Sequence, residues 1–441
     1  MDVNKTENET IIVTGFCILP YDITEYQWQF YYAFLWWLEG FGSALLGTIG
    51  IFLNLITIIV LLGGDVAASF FNWLLVFLAS FDAFFLLNGI LEACRNHLGS
   101  SNFHVYLFVT FFYPFRSFVM FCSIYTTVLL ALERYNALVK PISHQRAGMG
   151  KQCMRQYLKQ HWPRLLKYIG PIMILAGVFC IPKRLELKLE TEELCDIVQY
   201  GPNITKICNE RYDIALTGLR SNNTYNLWYL NITNLFVTAI IPLISLTYLN
   251  VNIYLKFRQY LERQQKFYNK HTLSQNNSIE KKARKREKDM IQQTMILFSV
   301  VVLFGLSHIL RIVLNIEEFS SLEKRKSVKE INDHCEWLQY WTMIASPISH
   351  LLLQLNSSLN FIIYCYFNKS FRDVLISWLN ICSTSFKLKP TQRNNGSLNH
   401  QSFPLIQFSK YTKSTVITTA ITSGSNNRRN LQSKENLEEE T

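Results

Sequence analysis

Seven apolar runs set the limits on this chain, near residues 33–62, 70–93, 103–133, 165–182, 227–255, 290–315 and 339–366. Each has about the 20 residues that one α-helix needs to cross the hydrocarbon core of a bilayer. Backbone N–H and C=O groups find no water there, so each run must close its hydrogen bonds internally as a helix. The expectation is an all-α fold, a seven-transmembrane helix bundle. The fourth run is the least regular, because Gly170 and Pro171 interrupt it and Pro182 ends it.

Most of the charge lies in the segments between the runs, and its placement orients the bundle. Residues 136–167 hold seven Lys/Arg and no acid, and 256–288 hold eleven Lys/Arg against three Glu. Those two loops are expected inside by the positive-inside rule. Residues 1–30 carry five acids and one Lys, 183–226 seven acids and six Lys/Arg, and 317–337 six acids and four Lys/Arg. The net charge of +11 is therefore a property of the inner face, and no nucleic-acid partner is needed to explain it. Residues 1–30 lack the basic start and compact apolar run of a cleavable signal peptide. A multi-pass protein of the plasma membrane is expected, N-terminus outside and C-terminus inside. Sequons at Asn4, Asn8, Asn203 and Asn222 fall on the outer side, where they can be glycosylated; those at Asn276, Asn368 and Asn395 fall inside and should be silent.

Four parts follow: an extracellular segment 1–32, the bundle 33–366, an amphipathic membrane-surface helix 367–382 and a disordered cytoplasmic tail 383–441. The tail is rich in Ser, Thr and Asn with few large apolar residues. Residues 368–378 have the amphipathic pattern of a short eighth helix lying on lipid. Cys382 follows it, either a palmitoylation site or an ordinary free cysteine. The loop 257–288 reads as helix extensions around a flexible middle.

Ionisable residues inside the runs point to function, because burying them in a membrane is costly. Glu133-Arg134-Tyr135 closes the third run, with a carboxylate placed to hold Arg134 in one state and release it in another. Asp82 stands alone in the second run, where a carboxylate is costly unless paired or solvated. The chain shows no nucleophile–base constellation and no phosphate-binding glycine loop, so an enzyme is not expected.

These motifs together resemble rhodopsin-like (class A) G-protein-coupled receptors. The resemblance rests on Gly50 and Asn54, on residues 78–82 ending at Asp82, on Glu133-Arg134-Tyr135, and on residues 356–364 with Asn360 and Tyr364. It places Pro242, Ile124 and Phe304 as a stack across the fifth, third and sixth spans. It also brings Asn54, Ser123, Asn356, Ser357 and Asn360 to Asp82 near mid-membrane. An oxygen cluster with one carboxylate suits a hard cation such as sodium; the alternative is a water-filled hydrogen-bond network, and no other cofactor is expected. Residues 123–135, 181–186, 215–220, 307–317 and 356–365 narrow the likeness to invertebrate FMRFamide-type neuropeptide receptors. The chain departs from the family in three places. Residues 103–113 lack the cysteine usually bridged to the second outer loop, Leu310 stands where the sixth span usually has its proline, and His308 replaces the usual Trp. A span without that proline should bend less. For His308 the plainer reading is a satisfied core histidine rather than a pH sensor. Cys17, Cys94, Cys195, Cys208 and Cys335 are expected outside, an odd number whose pairing sequence does not reveal.

The resemblance implies a ligand pocket and a coupling machinery. Arg116, eighteen residues before Arg134, faces that pocket where monoamine receptors carry an aspartate, which argues against amine ligands. Glu92 is its expected partner, either in a structural ion pair or as the acceptor of a ligand guanidinium. Glu39, Glu317 and Glu318 rim the mouth, and Tyr340 is one of many aromatics there that either meet the ligand by cation–π contact or anchor the interface. Glu133, Arg134, Tyr135, Ile124, Pro242, Phe304, His308, Asn360 and Tyr364 are the implied activation and G-protein coupling residues. Expected partners are an extracellular amidated (RFamide-like) peptide, a heterotrimeric G protein, arrestin as a second cytoplasmic partner, and membrane lipid. The alternatives are a receptor of this fold for another peptide or small aromatic ligand and, from another class, a transporter, which would require an internal repeat that the chain lacks.

Overall fold

The computed structural model describes residues 12–13, 16–19, 24–62, 70–97, 99, 101–139, 154–200, 203–270, 277–331, 335–337 and 339–387. Asn4, Asn8, Asn276 and the tail from 388 onward lie outside the described residues. The chain divides into one unit, Met1–Phe386, and a second, Lys387–Thr441, of which only Lys387 is described.

Helix α1 spans Glu25–Leu62. It begins eight residues before the apolar run, because Thr24 and Gln27 form a capping box that satisfies the free amides of its first turn. Helix α2 is Phe70–His97. Helix α3 is built from Asn102–Leu107, a π-helical turn Phe108–Phe112 and Tyr113–Val139. Helix α4 covers Met154–Arg184. Helix α5 starts at Asn223–Tyr225, passes through π-helical stretches Asn226–Thr233 and Phe236–Ile240, and continues as Ile241–Lys270. Helix α6 is Asn277–Ser320, α7 is Tyr340–Phe367 and α8 is Lys369–Lys387. A further π stretch, Trp36–Gly42, lies within α1.

Six of these helices are long and apolar enough to cross a bilayer: α1 to α6. Helix α7 is the more polar seventh, because Gln354, Asn356, Ser357, Ser358 and Asn360 fall on it. It packs on α1, α2 and α6, and α3 packs on α2, α4 and α5, so the helices close into a ring around α3. The exterior is apolar. On α4, Leu166, Ile174, Leu175, Val178 and Ile181 are exposed while Leu165, Ile169, Ala176 and Cys180 are buried. An apolar face of this extent, repeated around the ring, is the surface that lipid requires.

One expectation changes here. Gly170 and Pro171 do not interrupt α4, which runs unbroken through Pro163 and Pro171 to end two residues after Pro182. Its buried side chains hold it against α3, and a bundle tolerates an interior proline where neighbours support the helix. Helix α6 likewise runs without a break past Leu310, as the missing proline leads one to expect.

Close helix approach depends on two glycines. A Cβ on Gly50 would fall 2.3 Å from Ser358 Oγ, and one on Gly89 would fall 2.7 Å from Gln354 Nε2. Helices α1 and α2 can therefore both touch α7. Asn54 Nδ2 then donates to Gly50 O at 2.9 Å and across to Ser357 O at 3.0 Å, and Gln354 Nε2 donates to Ser43 Oγ at 2.5 Å.

The short strands lie at one end of the bundle. Strands β1 (Ile12–Val13), β2 (Phe16–Leu19) and β5 (Cys335–Trp337) form a three-stranded sheet, with β2 central. Strands β3 (Leu187–Tyr200) and β4 (Asn203–Leu216) form an antiparallel hairpin between α4 and α5. At the opposite end, α8 turns off α7. Arg372 Nη1 donates to the carbonyls of Cys365 and Tyr366 at 2.9 and 2.6 Å, closing the end of α7. Phe371 is fully buried against Phe361 and Tyr364, while Ile376 and Leu379 stay exposed on α8. Cys382 lies on α8, with its side chain outside the described residues.

Candidate functional site

Three groups of polar residues are spaced along the bundle, and the central one surrounds Asp82. This carboxylate is 1% exposed on α2. Ser123 Oγ on α3 donates to its Oδ1 at 2.6 Å, Asn360 Nδ2 on α7 donates to its Oδ2 at 2.8 Å, and Ser357 adds a further side-chain hydrogen bond. A buried charge is tolerable when hydrogen-bonded in this way. Two expected companions are not part of it. Asn54 spends its amide on the backbone of α1 and α7, and Asn356 is half-buried with no hydrogen bond to Asp82 among the described contacts. A carboxylate with hydroxyl and amide oxygens is donor chemistry that fits a hard monovalent cation. The carboxylate has about four lone-pair sites, so three hydrogen bonds still leave one for a cation.

Toward the hairpin end the helices enclose a charged cup. Arg116 on α3 forms an ion pair with Glu92 on α2, and its guanidinium carbon lies 5.7 Å from the Phe85 ring centre. Glu39, in the π stretch of α1, is near enough for its charge to act on Arg116, and its Oε1 lies 3.3 Å from His350 Nδ1 on α7. From α6, Arg311 brings a second guanidinium whose charge repels that of Arg116. Its Nη1 lies 3.3 Å from Met120 Sδ, and no described ion pair gives it a carboxylate. Next to Arg116, stacked rings run along α3: Phe111, which is exposed, on Phe115 with centres 4.9 Å apart, and Phe115 on Phe118 at 6.1 Å. Tyr340 opens α7, half-buried. Glu317 and Glu318 have local partners instead. Glu318 pairs with Arg325 at 3.4 Å, and Glu317 accepts from Ser320 Oγ at 3.3 Å.

Beside the cup is a knot that sequence reading did not assemble. Glu186, just after α4, is completely buried. It accepts from the Tyr113 hydroxyl of α3 and from the Tyr225 hydroxyl of α5 at 2.8 Å, lies 3.2 Å from Lys183 Nζ, and has Arg220 Nε at 4.0 Å. Thr217 Oγ1 donates to Leu185 O at 2.6 Å and closes the neck of the hairpin. The motif pieces 181–186 and 215–220 are thus two sides of one contact. The hairpin is also tied to α3, where Asn102 Nδ2 donates to Glu210 O at 2.8 Å and Asn102 Oδ1 accepts from Tyr212 N at 3.1 Å. The signal available in sequence was Glu186 itself, an acid at the end of the first of two short motifs that each carry a cation.

At the other end, Arg134 lays its guanidinium over the Phe71 ring of α2, 3.3 Å from the ring centre. Glu133 is buried next to it, and its charge acts on Arg134. Tyr135 packs against the same core that holds Ile124 and Phe304, both buried; Pro242 is buried on α5. His308 stacks on Phe304 with centres 3.9 Å apart, and its Nδ1 lies 3.0 Å from Phe304 O. Tyr364 is buried where α7 meets α8. A continuous core therefore links Arg134 to the floor of the cup.

Asn222 is exposed, and its Oδ1 caps the first turn of α5 by accepting from Thr224 N and Tyr225 N. Asn203 lies at the start of β4.

Comparison with known proteins agrees with this architecture. The chain is 25% identical over 383 residues to the FMRFamide receptor of Drosophila melanogaster, an alignment covering 83% of this chain and 59% of that protein. The chain thus spans about three fifths of the length of that relative. Residues 53–350 match the family model described as 7 transmembrane receptor (rhodopsin family), which takes in α2 to α6, the last turns of α1 and the start of α7. With its helices closed around α3 and an apolar exterior, the chain belongs to the rhodopsin family of seven-transmembrane receptors, a family of receptors and not of enzymes.

Proposed function

We propose that this chain is a receptor for an amidated, Arg/Phe-ended peptide and signals through a heterotrimeric G protein. The observation that carries the reading is the arrangement Glu92–Arg116–Glu39, an arginine ion-paired with one acid and within reach of the charge of a second, with the rings of Phe111 and Phe115 nearby on α3. A peptide arginine can take the place of Arg116 on either carboxylate, and a peptide phenylalanine can stack on Phe111 or Phe115. The likeness to a protein named FMRFamide receptor supports the same ligand class. In this reading the hairpin end faces outside, Asn203 and Asn222 carry sugar, and α8 lies on the inner leaflet with Cys382 as its lipid attachment point. Sodium at Asp82 favours the resting bundle. Peptide binding shifts the population toward a state in which Arg134 leaves Phe71 and opens to the G protein, with arrestin as a later partner.

A second reading, a ligand with an acidic group, is favoured by Arg311 alone, which has no carboxylate partner among the described ion pairs. One experiment separates the two. Cells displaying the receptor are exposed to amidated Arg-Phe peptides, their free-acid forms and aromatic amino acids, with calcium and cyclic-nucleotide readouts. Activation by the amidated peptides alone is expected. Response only to the acids supports the second reading, and silence to the amidated peptides from a surface-displayed receptor refutes the first.

A further inference from the structure

The bundle carries two small sheets at the hairpin end, and each contains two cysteines. In the hairpin, the backbone register sets Cys195 opposite Cys208, one of fourteen opposed positions. In the three-stranded sheet, β2 runs parallel to β5 and the register sets Cys17 opposite Cys335. Opposed residues on antiparallel strands have Cα atoms about 4.5–5.5 Å apart, and neighbouring strands of either kind lie about 4.7–4.9 Å apart, both within the 4.4–6.8 Å that a disulfide spans. The fifth cysteine of this end, Cys94 near the end of α2, is a half-buried thiol.

We propose that Cys195–Cys208 and Cys17–Cys335 are two disulfide bonds and that Cys94 remains reduced. This rests on the outward orientation of the hairpin end in the reading above, because that side is exposed to the oxidising secretory lumen during synthesis. Each bond forms by thiol–disulfide exchange. Two cysteine thiols lose two protons and two electrons, and a disulfide of the oxidoreductase class accepts them and becomes a dithiol. The pairing accounts for the odd number of outer cysteines. It also explains how this end is held without a cysteine at the start of α3. One bond staples the hairpin to itself, and the other ties the N-terminal strand to the segment between α6 and α7. Attachment of the hairpin to α3 is left to Asn102 and to the Tyr113–Glu186 contact. Crossed pairs such as Cys17–Cys195 would join strands that belong to different sheets.

The test uses the full chain made in animal cells, denatured and alkylated with N-ethylmaleimide without reduction. Trypsin cuts after Lys206, between the two hairpin cysteines. The fragment ending at Lys206 and the one beginning at Ile207 should remain joined, two hydrogens lighter than their sum, and separate only on reduction. Cys94 should carry the maleimide. Cys17→Ser should make Cys335 reactive and leave Cys195 and Cys208 protected; Cys335→Ser should do the same for Cys17. Maleimide on any of the four in the parent chain, or a crossed peptide, overturns the pairing. An N-terminal epitope reports orientation separately. Alkylated cysteines with an epitope stained on intact cells refute the disulfides alone, whereas staining only after permeabilisation refutes the orientation.

Discussion

Replacing Glu186 with Gln tests whether the knot beside the cup holds the hairpin end together. The carboxylate is fully buried and meets two tyrosine hydroxyls and two cations at once. Glutamine keeps the shape and one acceptor oxygen but removes the charge, leaving Lys183, 14% exposed, without its carboxylate among the Tyr113 and Tyr229 rings, 5.9 Å from each centre. Breaking a buried ion pair from one side costs about 3–5 kcal/mol, because the remaining charge loses its compensation. At ~2–4 °C per kcal/mol, apparent melting should fall by roughly 6–20 °C. The assay is thermal unfolding of purified receptor in detergent, followed by a thiol-reactive dye. Glu186→Gln combined with Lys183→Met should recover much of the loss, since no buried cation is then left stranded at Lys183 and Arg220 is exposed enough to reach water. A Glu186→Gln receptor that melts within about 1 °C of the parent refutes the argument, for it means that less than ~0.5 kcal/mol resides in the knot. Failure of Lys183→Met to rescue would show that the loss comes from the tyrosine contacts and not from charge.

Three further outcomes are expected. Glu92→Gln should weaken an amidated Arg-Phe peptide about 10- to 150-fold, the equivalent of one charge-assisted hydrogen bond of ~1.5–3 kcal/mol; a peptide with citrulline for arginine should show no additional loss on the Glu92 variant, and additive losses would return Glu92 to a purely structural role. Raising sodium should lower agonist affinity in the parent and leave Asp82→Asn unaffected; equal sensitivity in both receptors would rule out a cation at that carboxylate. Glu133→Gln should raise basal signalling and Arg134→Ala should abolish coupling while sparing peptide binding, so normal signalling by a surface-displayed Arg134→Ala receptor contradicts the role given to the triplet.

The helices were legible because a bilayer imposes a length and a polarity on each of them, and no soluble context blurs that signal. Their ends were less so. The start of α1 depended on the Thr24–Gln27 capping box, which belongs to a polar stretch that hydropathy discounts. Passage of α4 through Pro171 depended on packing against α3, a tertiary effect. Asp82 and Ser123 could be brought together only through the family resemblance, and the structure joins them. Asn54 could not be placed so well, since its type and depth suited either Asp82 or the backbone of α7, and the close approach at Gly50 decided for the backbone. The hairpin was missed because residues 187–216 mix acids, Lys and Asn without a clean alternation. Once it is seen, Glu186 and Arg220 become neighbours across its neck.

The π turn at Phe108–Phe112 has a consequence for the evolution of this end of the molecule. It accommodates one residue more than an α-helix would over the same length. Everything on its N-terminal side is consequently rotated by about 100° relative to the faces counted upward from Arg134. Asn102 belongs to that rotated segment, and its amide meets the β4 backbone only because of the offset. Deletion of a single residue between 108 and 112 would leave Arg116 and everything below it in register, yet would turn Asn102 away from the hairpin and move its edge across the mouth. An insertion or deletion there can therefore reshape the entrance of the pocket while the signalling core stays as it was, a route by which related receptors can change what they admit without changing how they respond.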